Sequence, residues 1–248
     1  MATQVFSIPK SIKENVKYSF CPGCDHGVAV RLVAECLDEL GLRENTITAT
    51  SIGCSVGLYD FIDIDAIEAP HGRALAVATG VKRARPDKFV FTYQGDGDFA
   101  SIGWGESMHS AFRGEKLSAI CINNTTYGMT GGQLGPTTLL GQITTTSPTG
   151  RNIEYYGYPV KIAEHIALSD GTAFSARVSL DTVANIRKAK AAIKKAFEVQ
   201  VKGLGFGFVE ILSSCPTNWR MTPQQAHERV RNEMMPVYKL GVYKDITA

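Results

Sequence analysis

The chain has 248 residues, 44% hydrophobic and 20% charged, enough to bury a full core and predicting one domain over residues 1–248 rather than two. A formal charge of only +2, with the lysines dispersed, argues against a nucleic-acid partner and leaves small anions open. No apolar stretch is long enough to span a bilayer, the opening Met1-Ala2-Thr3-Gln4-Val5 lacks the pattern of a secretory signal, and six cysteines with one CxxC suggest thiols or metal ligands, so a cytoplasmic protein without membrane contact is expected.

In chain order, Cys21-Pro22-Gly23-Cys24 forms a turn ahead of helical periodicity at Ala29, Leu32, Val33, Cys36, Leu37 and Leu40, which ends at Gly41. Cys36 on that face is expected in the core. Apolar strand-like runs follow at 46–52, 88–93, 117–122, 173–178 and 206–212, separated mostly by segments that can be helical. The alternation predicts an α/β fold, a mostly parallel open sheet with helices on both faces. Cys121 lies inside an apolar run and should be buried and inert, and His109, in an apparent helix, is expected to pack. Residues 125–157 are rich in Gly, Thr, Ser and Pro without sustained period, which reads as a long functional loop or several turns, with disorder as the alternative. Asp181 is expected to cap a long helix whose apolar side carries Ile186, Ala189, Ile193, Ala196 and Phe197, with Gly203 beyond its end. Lys188, Lys190, Lys194 and Lys195 on that helix read chiefly as a solvated face, an acidic partner being the competing use. There is no internal repeat.

Two signatures carry chemistry. The run at 88–93 enters Gly95-Asp96-Gly97-Asp98, where glycines let the backbone approach a ligand and Asp96 offers a hard oxygen. After 25 further residues a second run ends at Asn123-Asn124, so both polar tips can meet at one sheet edge, where open α/β folds bind ligands. Mg²⁺ suits such an edge, sharing octahedral oxygen coordination between one or two protein groups, phosphates and water. Asp96, the Asn124 amide oxygen and a nearby backbone carbonyl would serve. The second signature is Cys21, Cys24, Cys54 and Cys215, all in polar or glycine-rich loops, with Cys54 and Cys215 following apolar runs. The spacing C-x2-C-x29-C-x160-C does not fit a compact zinc ribbon, and the residues alone leave a [4Fe-4S] cluster and tetrahedral zinc both open. His26 would tune the cluster or substrate, or cap the following helix, and His71 by itself is an ordinary loop histidine.

Gly-Asp-Gly, then about 25 residues, then Asn-Asn resembles the pattern that holds Mg²⁺ and the diphosphate of thiamine pyrophosphate. The string over 95–138 (GDGDFASIGWGESMHSAFRGEKLSAICINNTTYGMTGGQLGPTT) is similar to the β subunit of 2-oxoacid:ferredoxin oxidoreductases. So are Cys21-Pro22-Gly23-Cys24, Ser51-Ile52-Gly53-Cys54-Ser55, His71-Gly72-Arg73-Ala74 and Ser214-Cys215-Pro216-Thr217, and the resemblance runs from about residue 18 to 219. It implies the thiamine diphosphate-binding fold and an oxidoreductase subunit of anaerobic metabolism. The implied reaction is coenzyme A-dependent oxidative decarboxylation of a 2-oxoacid to acyl-CoA and CO₂, with electrons leaving through a [4Fe-4S] cluster to ferredoxin.

Residue by residue, the resemblance assigns Asp96, the Asn124 side chain and the Thr126 carbonyl to Mg²⁺. Gly97, Asp98, Gly128 and Met129 would line the diphosphate and the neighbouring cofactor; Ile52, Gly53, Cys54 and Ser55 would touch thiamine; His71 matches a cofactor-contacting histidine; Cys21, Cys24, Cys54 and Cys215 would hold the cluster. No catalytic residue is assigned on this chain, because the glutamate that activates the aminopyrimidine is expected on a second domain, and Glu106 reads as a surface or packing group. The resemblance implies an α subunit completing the site, plus γ and ferredoxin-like δ subunits or fused equivalents, in an assembly that pairs again.

Members that accept 2-oxoglutarate tend to carry a basic residue three positions after the equivalent of Cys54, where this chain has Gly57. Together with Gly53-Cys54-Ser55-Val56-Gly57-Leu58-Tyr59, which resembles the 2-ketoisovalerate group, this favours a branched-chain or bulky 2-oxoacid. Two other readings each leave a signature idle. A non-redox thiamine-dependent 2-oxoacid decarboxylase subunit does not use the cysteines, and a structural zinc-binding assembly module does not use the diphosphate loop.

Overall fold

The computed structural model describes residues 7–248, so the opening segment read against a secretory signal lies outside the described residues. In chain order the strands are β1 (Thr46–Thr50), β2 (Asp65–Glu68), β3 (Phe89–Gly95), β4 (Ser118–Asn123), β5 (Thr126–Tyr127), β6 (Gln133–Leu134), β7 (Thr172–Ser179), β8 (Phe206–Leu212) and β9 (Gly241–Asp245). The helices are α1 (His26–Glu39), α2 (Leu58–Phe61), α3 (Ala74–Ala84), α4 (Trp104–Phe112), α5 (Ile153–Tyr156), α6 (Ile162–Ala167), α7 (Val183–Val201), α8 (Pro216–Trp219), α9 (Pro223–Arg229) and α10 (Met235–Val237). The main sheet runs β2-β1-β3-β4-β8-β7-β9, every pair parallel except β7 with β9; β5 and β6 form a separate antiparallel pair. The mostly parallel α/β sheet read from the sequence is therefore the observed architecture.

The central strands read as continuous apolar runs because both faces of the sheet are covered. On one face Phe89, Phe91, Tyr93, Ile120, Ile122, Val209 and Ile211 meet α1 and α7, and on the other Val90, Ala119, Cys121, Phe206 and Phe208 pack in the cluster that includes α3 and α6. Alternate residues thus serve opposite cores, the period of two that a strand imposes. Phe197 of α7 lies 4.9 Å from the Phe89 ring and 5.6 Å from Phe91, centroid to centroid. Burying each such phenyl stabilises the fold by about 1.5–3 kcal/mol. Cys36 and Cys121 are both buried, as expected.

Three sequence readings need correction. Thr182, not Asp181, is the N-cap of α7, its hydroxyl accepting the Asn185 N–H at 3.2 Å, while Asp181 accepts from Ser179 and the Asn185 side chain. The lysines of α7 are not a uniformly free face: Lys190 pairs with Glu35 and Glu39 of α1, Lys194 with Glu39, and Lys195 with Asp245. Those carboxylates neutralise charge that would otherwise attract an acidic partner. His109 is exposed, its ring edge-on to the equally exposed Phe112, because it falls on the outer face of α4.

The strand ends position the site. Thr50 pairs with Tyr93, Gly95 with Ile122, and Asn123 with Leu212, so β1, β3, β4 and β8 deliver their loops to one edge. The chain leaves β1 for β2 on one side and returns to β3 on the other, so a topological switch point lies between β1 and β3. The loops bearing Cys54 and Asp96 flank it.

Candidate active site

A narrow cleft of about 80 Å³ at this edge is lined by Ile52, Gly53, Cys54, Ser55, His71, Asp96, Gly97, Asp98, Asn124, Thr126, Gly128 and Met129, bringing together every residue that the resemblance assigned to thiamine pyrophosphate or Mg²⁺. Tyr127 narrows it. A Cβ at Gly97 would stand 2.2 Å from the Tyr127 ring, so only glycine fits beneath it. The ring is half-buried, and its hydroxyl donates to the Gly97 carbonyl at 3.4 Å.

Asp96 is almost fully buried, and burial pushes its carboxyl up to about 7. Its side-chain partner is the neutral Thr137 hydroxyl, which donates to Oδ2. A buried carboxylate beside no protein cation is an incomplete electrostatic arrangement that a divalent ion would complete. Asn123 and Asn124 form successive side-chain turns, accepting the Thr125 N–H at 3.0 Å and the Thr126 N–H at 3.2 Å. The Ser55 hydroxyl, in the cleft lining, is buried without a hydrogen-bond partner among the described residues, leaving polar capacity for a ligand.

Asp98 does more than line the cleft. It accepts from Ser51 Oγ at 2.6 Å and the Gly72 N–H at 2.6 Å, and it also binds His71 Nδ1 and Gln94 Nε2. One carboxylate thereby ties together the loops that follow β1, β2 and β3. Immediately after Gly97 the backbone winds as a π-helix, Asp98–Ile102, an irregularity frequent at functional sites.

The cleft adjoins a cavity of about 570 Å³ lined by Cys21, Cys24, Cys54 and Cys215, and the two share His26, Cys54, Asn124, Gly128 and Met129. The CxxC turn closes with the Cys24 N–H on the Cys21 carbonyl at 3.0 Å, Gly23 adopting φ 75°. Burial pushes the Cys24 thiol up to about 12 and Cys54 up to about 11, and raises Cys215 despite a hydrogen bond from Asn218. Metal binding here must displace those protons. No three His, Cys, Asp or Glu side chains among the described residues gather to hold a single metal ion.

Asp25 ties the two cysteine loops together. It accepts the Ser214 N–H at 2.7 Å and faces His227 Nε2 at 2.8 Å, while Ser214 Oγ donates to the Gly23 carbonyl at 2.7 Å. His26 does not cap α1: its Nδ1 lies 2.9 Å from the Tyr93 hydroxyl, its ring stacks on Phe20, and burial lowers it to about 4, so it is neutral. Glu106 pairs with Arg73 outside the cleft.

The 125–157 segment is ordered around Arg151, whose guanidinium donates to the carbonyls of Gly135, Pro136, Thr138, Tyr156, Gly157 and Tyr158. That segment brings Thr137 to Asp96 and sets the Thr138 hydroxyl on the Thr125 carbonyl at 2.7 Å. Thr137, Arg151, Asp25 and His227 were not singled out from the sequence. Their partners are distant in the chain or are backbone carbonyls, neither of which leaves a motif; only Thr137 falls inside the string that carried the resemblance.

Residues 51–211 match the family described as "Thiamine pyrophosphate enzyme, C-terminal TPP binding domain". The 2-oxoglutarate synthase subunit KorB of Methanocaldococcus jannaschii is 37% identical over 207 residues, 83% of this chain and 72% of that protein. This chain belongs to the thiamine pyrophosphate-binding subunits of the 2-oxoacid:ferredoxin oxidoreductases. The ketoisovalerate oxidoreductase subunit VorA of Methanothermobacter thermautotrophicus is 45% identical over 229 residues, 92% of this chain and 48% of that protein. The chain thus spans about half the length of the VorA relatives it matches. Among solved structures, a 2-oxoglutarate:ferredoxin oxidoreductase from Magnetococcus marinus with 2-oxoglutarate, coenzyme A and succinyl-CoA bound aligns over 98% of this chain and 86% of that one, at TM-score 0.74 and 28% identity.

Proposed function

We propose that residues 1–248 form one thiamine pyrophosphate-binding domain with an N-terminal cluster loop, acting within a 2-oxoacid:ferredoxin oxidoreductase. The overall reaction takes a 2-oxoacid and coenzyme A to acyl-CoA, CO₂ and a proton, with a pair of electrons passed singly to ferredoxin. The observation that carries this reading is the junction of the Asp96 cleft with the four-cysteine cavity at Cys54 and Gly128.

When bound, thiamine pyrophosphate supplies the electron sink for decarboxylation and a [4Fe-4S] cluster supplies a one-electron acceptor beside it. Asp96, the Asn124 amide oxygen and the Thr126 carbonyl would hold Mg²⁺. Gly97, Asp98, Gly128 and Met129 would line the diphosphate and its neighbourhood, with Ile52, Gly53, Cys54, Ser55 and His71 against the rest of the cofactor. The lone buried carboxylate and the unpartnered Ser55 hydroxyl in the cleft lining fit these groups. The cleft, about 80 Å³, is narrowed by the Tyr127 ring over Gly97, which would have to move for a diphosphate to enter.

Four thiols around one cavity, spaced C-x2-C-x29-C-x160-C rather than as a compact zinc ribbon, support a [4Fe-4S] cluster over zinc. Glu106 pairs with Arg73 outside the cleft and no glutamate is among the cleft's described lining residues, which supports an activating glutamate on another domain or subunit. We assign that role to an α subunit, with γ and ferredoxin-like δ subunits or fused equivalents in a paired assembly; the naming of the relatives as subunits supports this. The cysteines are unpaired, which supports a reducing cytoplasm, and no described helix is long and apolar enough to cross a membrane.

A branched-chain or bulky apolar 2-oxoacid is the preferred substrate over 2-oxoglutarate. Beside the four cysteines, Phe20, Val56, Gly57 and Met129 line the cavity that adjoins the cleft, and neither the cleft nor this cavity has a Lys or Arg among its described lining residues to pair a distal carboxylate. A Cβ at Gly57 would stand 3.3 Å from both the Phe20 and Phe61 rings, so any side chain there requires this aromatic wall to give by a few tenths of an ångström.

The test is joint quantification of iron, sulfide, zinc and thiamine pyrophosphate in the anaerobically isolated native assembly, with Cys54→Ala for comparison. Iron and sulfide with thiamine pyrophosphate, and iron lost from this subunit in the variant, are expected. The cofactor without iron would reduce the reading to a non-redox thiamine enzyme, and zinc without cofactor to an assembly module.

A further inference from the structure

Glu210 lies in the middle of β8, fully buried, in register with Cys121 of β4. Its Oε2 accepts Arg177 Nε at 2.9 Å and the Ala163 N–H at 3.1 Å, and its Oε1 accepts Asn123 Nδ2 at 2.7 Å. Arg177 is also fully buried, and it donates further to Glu164, the Lys239 carbonyl and the Tyr243 hydroxyl. Glu210 and Glu164 hold the guanidinium above its ordinary value even though burial opposes this. A desolvated ion pair of this kind contributes little net stability over an apolar replacement. What it provides is one carboxylate oxygen fixed in space, aimed at Asn123.

Asn123 passes that constraint on. Its Oδ1 accepts the Thr125 N–H at 3.0 Å, spanning Asn124, and Thr125 adopts φ 60°, a left-handed conformation that β-branched residues rarely take. Such strained positions persist only where the surroundings over-determine them. The turn so held carries Asn124 and Thr126, both of which line the cleft with Asp96.

We propose that Glu210, clamped by Arg177 and acting through Asn123, is a positioning residue that orients Asn124 and Thr126 and so sets the divalent-cation affinity of the site. This rests on the function proposed above. Groups behind metal ligands commonly tune affinity in this way.

The test is Mg²⁺ titration of the native assembly in the presence of thiamine pyrophosphate, with Mn²⁺ as a spectroscopic probe, alongside thermal melting. Asn123→Ala should raise the Mg²⁺ dissociation constant about 10–100-fold. Asn123→Ser, whose hydroxyl keeps an acceptor for the Thr125 N–H but falls short of Glu210, isolates the contribution of the carboxylate and should show a loss of the same order. Glu164→Gln removes a charge from the Arg177 NH1 and NH2 side while leaving the Arg177 Nε–Glu210 bond and Asn123 in place, so it should lower the melting temperature and leave Mg²⁺ affinity nearly unchanged. Unchanged affinity in the Asn123 variants, or an equal loss in Glu164→Gln, overturns the inference while leaving the parent reading intact. No Mg²⁺-dependent cofactor binding in the unaltered protein would overturn both.

Discussion

Replacing Arg151 with Met is the sharpest test of how the cofactor loop is held. The guanidinium has five N–H donors, and it serves carbonyls at 2.9 to 3.1 Å on both sides of its own position: Gly135, Pro136 and Thr138 before it, Tyr156, Gly157 and Tyr158 after. Hydrogen bonds to a charged donor contribute about 1.5–3 kcal/mol each before desolvation is counted. Arg151 is 5% exposed with no carboxylate partner among the described residues, and burial lowers its pKa, so part of that gain offsets the cost of burying the cation. A net loss of about 3–5 kcal/mol follows, because methionine leaves several of these carbonyls without a donor at about 1–3 kcal/mol for each that stays buried and unsatisfied. At about 2–4 °C per kcal/mol for a chain of this size, melting should fall by roughly 10 °C if the loop unfolds with the sheet. If the loop opens by itself, protease cleavage should appear within residues 135–158 while the melting temperature holds. Either result should accompany weaker thiamine pyrophosphate binding, because Thr137 no longer meets Asp96. A variant with wild-type melting, protease resistance and cofactor affinity would refute the view that these hydrogen bonds organise the site.

Three further outcomes follow from the same geometry. Gly57→Arg, forced against Phe20 and Phe61, should cut kcat/KM for a branched-chain 2-oxoacid by about 10–100-fold, the scale of pocket discrimination, and raise relative activity on 2-oxoglutarate; a wild-type preference for 2-oxoglutarate in the same assay contradicts the apolar-pocket reading. Gly97→Ala, whose Cβ would fall 2.2 Å from the Tyr127 ring, should weaken thiamine pyrophosphate binding more than tenfold, roughly 1.4 kcal/mol, as measured by calorimetry. Wild-type affinity would remove Gly97 from the diphosphate surface. His227 is raised above its ordinary value by the Asp25 hydrogen bond, so its stabilising contribution is complete below about pH 6.5 and disappears as pH rises through the folded-state value. Melting temperature should therefore carry a downward slope across that window that His227→Gln removes, and identical slopes in both proteins would show that the contact carries no linkage.

The parts of this protein that were legible in its sequence are those where local chemistry and function coincide. A buried parallel strand is apolar along its whole length, and a strand that ends at a phosphate or metal site must change abruptly to Gly, Asp or Asn; the runs into Gly95-Asp96-Gly97 and Asn123-Asn124 show both features. The short edge strands β2 and β9 carry no such signature, because one flank of each is open and their residues are largely exposed or half-exposed. Helix caps were ambiguous for a different reason: Asp181 and Thr182 are both good N-cap residues, and the choice turned on Ser179 and Asn185 engaging Asp181. Arg151 looks like any surface arginine in a polar segment, since its partners are main-chain oxygens that every residue possesses. Glu210 is hidden further still, inside a strand of otherwise apolar pattern, where the sequence offers only an apparent defect. A buried carboxylate in a parallel strand is tolerated when another strand supplies its cation, and β7 does so with Arg177. Violations of the apolar pattern are therefore informative about sites one strand away, and here both lead back through Asn123 to the turn beside Asp96.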